Sequence, residues 1–453
     1  MKLGAEKKIV KGAAALSIGA LFSKLLGVAY RIPLTNLLGS YGLGLYQMVF
    51  PIYTLLLDFS GAAVPSAISK IISSYKGEDK EAYALSYLKS SVRLMAIFGG
   101  VCTLLMAVLC SAFSFWQGDI NARYGYLLLS PAIFFVSIIC CFRGYFQGLQ
   151  NMKPTAVSQV IEQLVKLLIG LVAVYLLMPN VKAAVGGATA AITLSELVAA
   201  AWLYLKFLRR RKGVGAMLVK NEHGLKVKTI LRTALPITLT GIMLPLSHVI
   251  DSFLTVNIIS TYRSDATALY GLYSGAVHTV INLPVAVCYG FATVSIPAVS
   301  SAKNHIEGKR LGKRTLLLTL YLAFPMMLVV LFGAPIITRI LFGNFNQEET
   351  QAVINLMRLS SPCVVLTSIV QTAGAVLIGL GKPYVPLFSL LFGVAVKTGT
   401  AIILLSNPSM NIYGSAIAAI ACYFIVCLVN LIMIIKSKVA NEGARALRRE
   451  YAS

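Results

Sequence analysis

Twelve apolar runs of about twenty residues or more follow one another along a chain of 453 residues. They lie near 12–38, 43–68, 90–114, 122–148, 154–178, 183–207, 232–258, 270–300, 314–341, 350–379, 383–405 and 411–435. About twenty apolar residues let a helix cross a hydrocarbon core roughly 30 Å thick. In lipid a helix satisfies its own backbone hydrogen bonds, so every run is expected to be helical. The expected fold class is an all-α integral membrane protein. Composition agrees, with 57% hydrophobic residues, 12% charged residues and a mean hydropathy of +0.79. A soluble domain of this length needs far more charge on its surface.

The formal charge of +24 would suggest a nucleic-acid partner in a soluble protein. Here the cations alternate between loops instead. One set of loops holds Lys7, Lys8 and Lys11, then Lys70, Lys76, Lys80 and Lys89, "RRRK" at 209–212, "GKRLGKR" at 308–314 and "RALRRE" at 445–450. The other set holds little beyond Arg123, Lys182 and Arg263, and "NQEET" at 346–350 is acidic. By the positive-inside rule both termini are expected in the cytoplasm. The basic N-terminus precedes an apolar run that continues through Lys24 and Arg31 without a small-x-small cleavage site. It is expected to be a retained first span rather than a signal peptide. The eight cysteines all fall in apolar runs, so they read as small packing residues rather than a disulfide or metal framework.

The longest polar interruption, 206–231, separates two groups of six runs. "GLQNMKP" (148–154) before the fifth run is echoed by "GLGKP" (379–383) before the eleventh. "GLY" at 44–46, followed by Pro51 and Pro65, is echoed by "GLY" at 271–273, followed by Pro284 and Pro297. Lys166 in the fifth run matches Lys397 in the eleventh. Six spans per half give both halves the same orientation, hence two six-helix lobes related by a parallel pseudo-twofold along the membrane normal. The expected divisions are an N-terminal lobe at 1–208, a basic cytoplasmic linker at 209–231, a C-terminal lobe at 232–436 and a basic cytoplasmic tail at 437–453. That tail can lie on the anionic inner leaflet or serve only as an orientation signal.

Polar residues inside the runs fall on stripes. Lys24 and Arg31 are two helical turns apart, with Ser17 one step earlier on the same face. A cation near the bilayer centre costs roughly 2.5–3.5 kcal/mol, which makes both residues candidates to line a cavity. In the fifth run Thr155, Ser158, Glu162 and Lys166 share a face, with Gln159 and Gln163 beside it. Gln47, Pro51, Thr54 and Asp58 do so in the second run, and Thr233, Thr240, Ser247 and Asp251 in the seventh. Arg358, Lys397, Glu196 and His278 add titratable groups at membrane depth. Glu162 with Lys166 also forms a ready structural pair, Glu196 can bond to neighbouring Thr or Ser, and His278 fits a hydrogen-bonded packing role. Lys24, Arg31, Lys166, Arg358 and Lys397 are the expected head-group-binding residues, since Arg clamps phosphate with a forked donor pattern. Asp58, Glu162 and Asp251 are the expected coupling or cavity carboxylates.

No G-x-x-x-x-G-K-[ST] loop occurs, and no soluble segment is long enough to hydrolyse a nucleotide. Transport would then run on Na+, H+, the membrane potential or the substrate gradient, with no cofactor. Membrane-embedded transferases need a sizeable loop with paired acids; the outer loops here are too short, and Glu78/Asp79 and Glu348/Glu349 read as solvated charges. A non-enzyme is expected.

The stretch "SKLLGVAYRIPLTNLLGSYGLGLYQMVFPIY" (23–53) resembles the N-terminal signature of the stage V sporulation protein B group. This group sits in the polysaccharide-transport branch of the multidrug/oligosaccharidyl-lipid/polysaccharide (MOP) flippase superfamily. "FRGYFQGLQNMKPTAVSQVIEQLVK" (142–166) resembles the same group, while spans seven to twelve agree mostly in layout. The resemblance implies a flippase of the bacterial cytoplasmic membrane. It would carry an undecaprenyl-pyrophosphate-linked sugar, lipid II or another cell-envelope glycan, from inner to outer leaflet in peptidoglycan synthesis or sporulation. It implies two lobes around a cationic cavity, and Arg31 and Lys24 lie in the span where such flippases keep essential basic residues; a monomer is expected. The chain departs from the lipid II flippases in having only His278 as a titratable group in the eighth span, and in showing twelve spans rather than fourteen. The alternative is a cation-coupled multidrug antiporter of the MATE type, whose cavity should favour carboxylates and aromatics over Lys and Arg.

Overall fold

The computed structural model describes residues 2–62, 64–75, 80–211, 227–300, 302 and 305–436. The tail at 437–453, residues 212–226 of the linker, and Lys76, Glu78 and Asp79 lie outside the described residues, as do the side chains of Lys7, Lys8, Lys11, Ser17, Thr233, Thr240 and Pro297. The described chain is almost wholly helical, in order α1 (Lys2–Leu57), α2 (Val64–Ser74), α3 (Lys80–Val108), α4 (Cys110–Trp116), α5 (Arg123–Gly148), α6 (Lys153–Leu177), α7 (Val181–Arg211), α8 (Val227–Ser260), α9 (Ala266–Tyr270), α10 (His278–Ser300), α11 (His305–Leu341), α12 (Gln347–Ser360), α13 (Pro362–Gly379), α14 (Tyr384–Leu405) and α15 (Tyr413–Lys436).

Eleven helical stretches among the described residues are long and apolar enough to cross a membrane. The first, Phe22–Ser74, has 53 residues. At 1.5 Å per residue it would extend about 80 Å, more than twice the hydrocarbon thickness. It therefore holds the first two expected spans, joined at Gly39, whose φ of 66° breaks the helical path where a side chain would be strained. A π-helical turn, Asp58–Ala62, separates α1 from α2 and puts a carboxylate at a locally widened turn. Lipid-facing surfaces are recognisable by large apolar side chains with no protein cover, such as Leu104 and Val108 on α3 and Tyr175 and Leu176 on α6.

The tenth span is shorter than the sequence suggests. The run at 350–379 divides into α12 and α13 at Pro362, which lacks an amide hydrogen and so starts a new helix. Only Pro362–Gly379 qualifies as a span. Arg358 falls in the last turn of the amphipathic α12 and is exposed, not within the apolar helix where the sequence placed it.

The chain forms two compact units, one of residues 1–276 with 339–351, the other of 277–338 with 352–453. In the first unit α5 is the central element, packed by α2, α3 and α7. Ile68 and Ile72 of α2 press on Gly144 and Gly148 of α5, and Phe142 and Tyr145 meet Phe207 of α7 at ring distances of 5.6 and 5.7 Å. With no hydrophobic drive between helices in lipid, small residues that admit close backbones do much of this packing.

One end of this unit is tied together by segments remote in sequence. Asn36 donates to the Leu341 carbonyl at 2.7 Å, and Asn344 donates to the Asn36 carbonyl at 3.0 Å. Ser40 donates to Glu349, and Thr267 to Asp119 at 3.0 Å. Gln117 donates to Ser252 at 2.7 Å and to the Met48 carbonyl at 3.0 Å. Beside these bonds Gly44 and Gly271 bring two backbones together, and a methyl group on either would overlap a carbonyl oxygen, of Thr267 or Ser40. Gly44→Ala or Gly271→Ala is expected to lower stability by about 1–3 kcal/mol through overpacking. Gly399→Ala, where nothing lies within 4 Å, is the neutral control. Thermal melts in detergent check this, and equal midpoints for all three variants would show that the contact yields freely.

The second unit pairs α10 with α13 and α14 with α15, around a core of Val299, Ala373, Val376, Leu377 and Ile434. Two pairs of its buried polar side chains bond to each other, Thr319 to Thr372 at 3.1 Å and Ser389 to Asn430 at 2.7 Å.

Candidate functional site: a buried charged cluster

Four helices of the first unit bring ionisable side chains together. α6 contributes Glu162 and, one turn on, Lys166, so both project from one face. Arg143 approaches from α5: its Nη2 donates to Glu162 Oε2 at 3.0 Å and its Nε donates to Ser158 Oγ, also at 3.0 Å. Gln163 Nε2 donates to the other carboxylate oxygen, Oε1, at 3.1 Å. α7 supplies Glu196, only 6% exposed and within charge–charge range of Glu162, Arg143 and Lys166. From α1, Tyr30 presents its ring 5.4 Å from the Lys166 ammonium, within cation–π range. Gly170, one turn beyond Lys166, lets that ring lie flat against α6.

Arg31 of α1 is half-buried and within charge–charge range of Tyr30, Tyr46 and Lys166. Three of the expected residues, Arg31, Glu162 and Lys166, thus gather in one neighbourhood. Asp58 borders it through Cys140, which senses Asp58, Arg143, Glu162 and Glu196 together. Across from Asp58 stands Gly241 of α8, whose lack of a side chain leaves the carboxylate room; a Cβ there would lie 3.7 Å from Oδ2. Lys24 is exposed on α1. Asp251 pairs along α8 with His248, Nδ1 to Oδ2 at 3.8 Å.

The remaining expected residues belong to the second unit. Lys397 is buried on α14, 6% exposed, and within charge range of Cys363 on α13. Arg358 is exposed on α12, and His278, half-buried, begins α10 directly after a second π-helical segment, Gly271–Val277. Among the described residues no three His, Cys, Asp or Glu side chains converge as metal ligands.

Arg143 carried the same signal that singled out Arg31, a cation inside an apolar run, but its nearness to the run's polar end masked it. Glu196, on α7, lies within charge–charge range of Glu162 on α6. The pairing of Glu162 is likewise with Arg143 of α5, in addition to its position one turn from Lys166.

Comparison with known proteins completes the assignment. Residues 9–303 match the family model described as polysaccharide biosynthesis protein. The lipid II flippase MurJ of Bacillus subtilis (strain 168) is 26% identical over 86% of this chain and 76% of its own length. Stage V sporulation protein B of the same organism is 24% identical over 94% of this chain and 83% of its own. Among solved structures, an inward-facing multidrug resistance MATE family transporter of the MOP superfamily superposes with a TM-score of 0.80 at 16% identity, covering 94% of this chain and 97% of the other. At that identity the likeness speaks for the fold alone. With the family model covering well over half of its residues, the chain belongs to the polysaccharide biosynthesis protein family.

Proposed function

We propose that this protein is a flippase that moves an anionic polyprenyl-pyrophosphate-linked saccharide from the inner to the outer leaflet, acting as a monomer in a bacterial cytoplasmic membrane with both termini inside. The observation that carries the reading is the gathering of Arg31, Arg143 and Lys166 with Glu162 and Glu196 within apolar helices. Ionisable groups inside a span are costly and mark substrate pathways. An excess of cations suits a pyrophosphate and repels an organic cation, which weighs against drug export. The names of the two curated relatives, a lipid II flippase and a sporulation protein, support the same class of substrate. Arg31 and Lys166 are the groups assigned to the head group, with Lys24, Arg358 and Lys397 as further contacts. Asp58 and Asp251 are the further carboxylates of the pathway.

The test is head-group accessibility of labelled lipid II in cells depleted of their own flippase and supplied with this chain. Restored exposure at the outer leaflet is expected. Absence of rescue combined with efflux of a cationic dye would instead favour the MATE-type antiporter.

A further inference from the structure

Residues 315–338 of α11, between Arg314 and Arg339, carry no charge. At 1.5 Å per residue they extend about 36 Å, enough to cross a hydrocarbon core of roughly 30 Å. Arg314 therefore stands at the membrane edge. From it a groove of about 1080 Å³ runs along α11 past Leu317, Leu318, Tyr321, Phe324 and Pro325 to Val329. Arg314 and Val329 are about 22 Å apart along the axis, against about 15 Å for half the core. The lining is apolar and lacks protein cover, with Tyr321 81% and Val329 63% exposed. The opposite face of α11 is spent on the core of its own unit. There Gly312 lies against Val376, Thr319 bonds to Thr372, and Ala323 and Val330 are buried.

Charge gathers at one end of this groove. Arg310 lies one turn before Arg314 on the same face, with Lys313 beside them, and all three are exposed. Among the described residues no ion pair engages any of the three. Lys309 is committed elsewhere, donating to the Ile435 carbonyl of α15 at 3.0 Å, and Glu307 is the one acid in the α11 sequence. We propose that the groove retains an anionic phospholipid of the surrounding membrane, with its phosphate on Arg310, Lys313 and Arg314 and an acyl chain along Leu317, Tyr321 and Val329. Cations above an apolar channel repeat, with opposite charge, the order of a phosphate above its hydrocarbon chain. Guanidinium groups take phosphate oxygens in pairs, and basic clusters at the membrane edge attract acidic head groups. The exposed lining admits bulk lipid from the side, and that lipid is in large excess over any cargo, so mass action fills the groove with phospholipid. The inference needs only that α11 spans the bilayer; it stands whatever the protein transports.

The test mixes the full-length protein in detergent with dioleoylphosphatidylglycerol or with dioleoylphosphatidylcholine, which has the same chains and a zwitterionic head. Native mass spectrometry reads the lipid each sample retains. The wild type is expected to hold phosphatidylglycerol over phosphatidylcholine by about tenfold or more, and equal retention would overturn the proposal. Arg310→Gln/Arg314→Gln should remove most of that preference. Lys89→Gln/Arg93→Gln, an exposed pair with the same spacing on α3, should leave it intact. Equal losses in the two double variants would mean that overall charge draws the lipid, and would overturn the assignment to the groove. Leu318→Trp fills the groove and keeps every cation, so it should cut retention of phosphatidylglycerol severalfold; unchanged retention would place the acyl chain elsewhere. Displacement of phosphatidylglycerol by equimolar farnesyl pyrophosphate would overturn the phospholipid assignment in favour of a polyprenyl occupant.

Discussion

Arg143→Ala is expected to cost about 3–5 kcal/mol of folding stability, more than any single deletion of an apolar contact around it. The reason is the company that Arg143 keeps. Its side chain is 14% exposed and that of Glu162 is 19% exposed, so neither charge has bulk water to fall back on. Truncation leaves Glu162 with Gln163 as a neutral donor and Glu196 as a competitor, and it strands the Ser158 hydroxyl that Arg143 Nε engages. Removing one partner of a buried pair leaves an uncompensated charge, whereas removing both charges is often nearly neutral. The double variant Arg143→Met/Glu162→Met is accordingly expected to recover most of the loss. Unfolding midpoints of the purified protein check both statements. A single variant as stable as the wild type would mean that the ion pair contributes nothing to the fold.

Arg31→Ala is expected to act on transport instead. The residue is half-buried, and its surroundings combine Tyr30, Tyr46 and Lys166. Under the flippase reading it contacts the pyrophosphate, and losing one charge-assisted partner of a buried anion costs roughly 2–5 kcal/mol. Translocation should fall by about thirty- to several-thousandfold, tenfold for each 1.4 kcal/mol, while the protein still inserts. Arg31→Lys keeps the charge but loses the forked geometry, so it should fall between the two. Unchanged outer-leaflet exposure of the lipid-linked sugar in cells carrying Arg31→Ala would remove Arg31 from the pathway.

The helices were legible because bilayer thickness imposes a length and lipid imposes a single backbone solution. Even the joined spans of Phe22–Ser74 follow from counting, since Gly39 lies where the two runs were separated. Hydropathy averages across Pro362, so the run at 350–379 hides the end of the amphipathic helix that carries Arg358. The stripe Thr155, Ser158, Glu162, Lys166 was readable from helical spacing, but its partners were not. Which helix supplies Arg143 and Glu196 depends on how α5, α6 and α7 pack, and periodicity within one run carries no record of its neighbours. Tyr30 shows the same limit: in the sequence it is an apolar residue beside Arg31, and only its position against Gly170 makes it a seat for Lys166.

The ties at Asn36 and Ser40 have a consequence for biosynthesis. Their partners, Leu341 and Glu349, lie 305 and 309 residues downstream. At translation rates of about 5–20 residues per second, the ribosome needs roughly 15–60 s after making α1 before those partners exist. Throughout that interval the first hairpin sits in the bilayer with an amide and a hydroxyl seeking substitutes, so a membrane chaperone or the insertion machinery has a long window in which to shield it, and truncated chains ending before residue 341 should be ready substrates for membrane proteases.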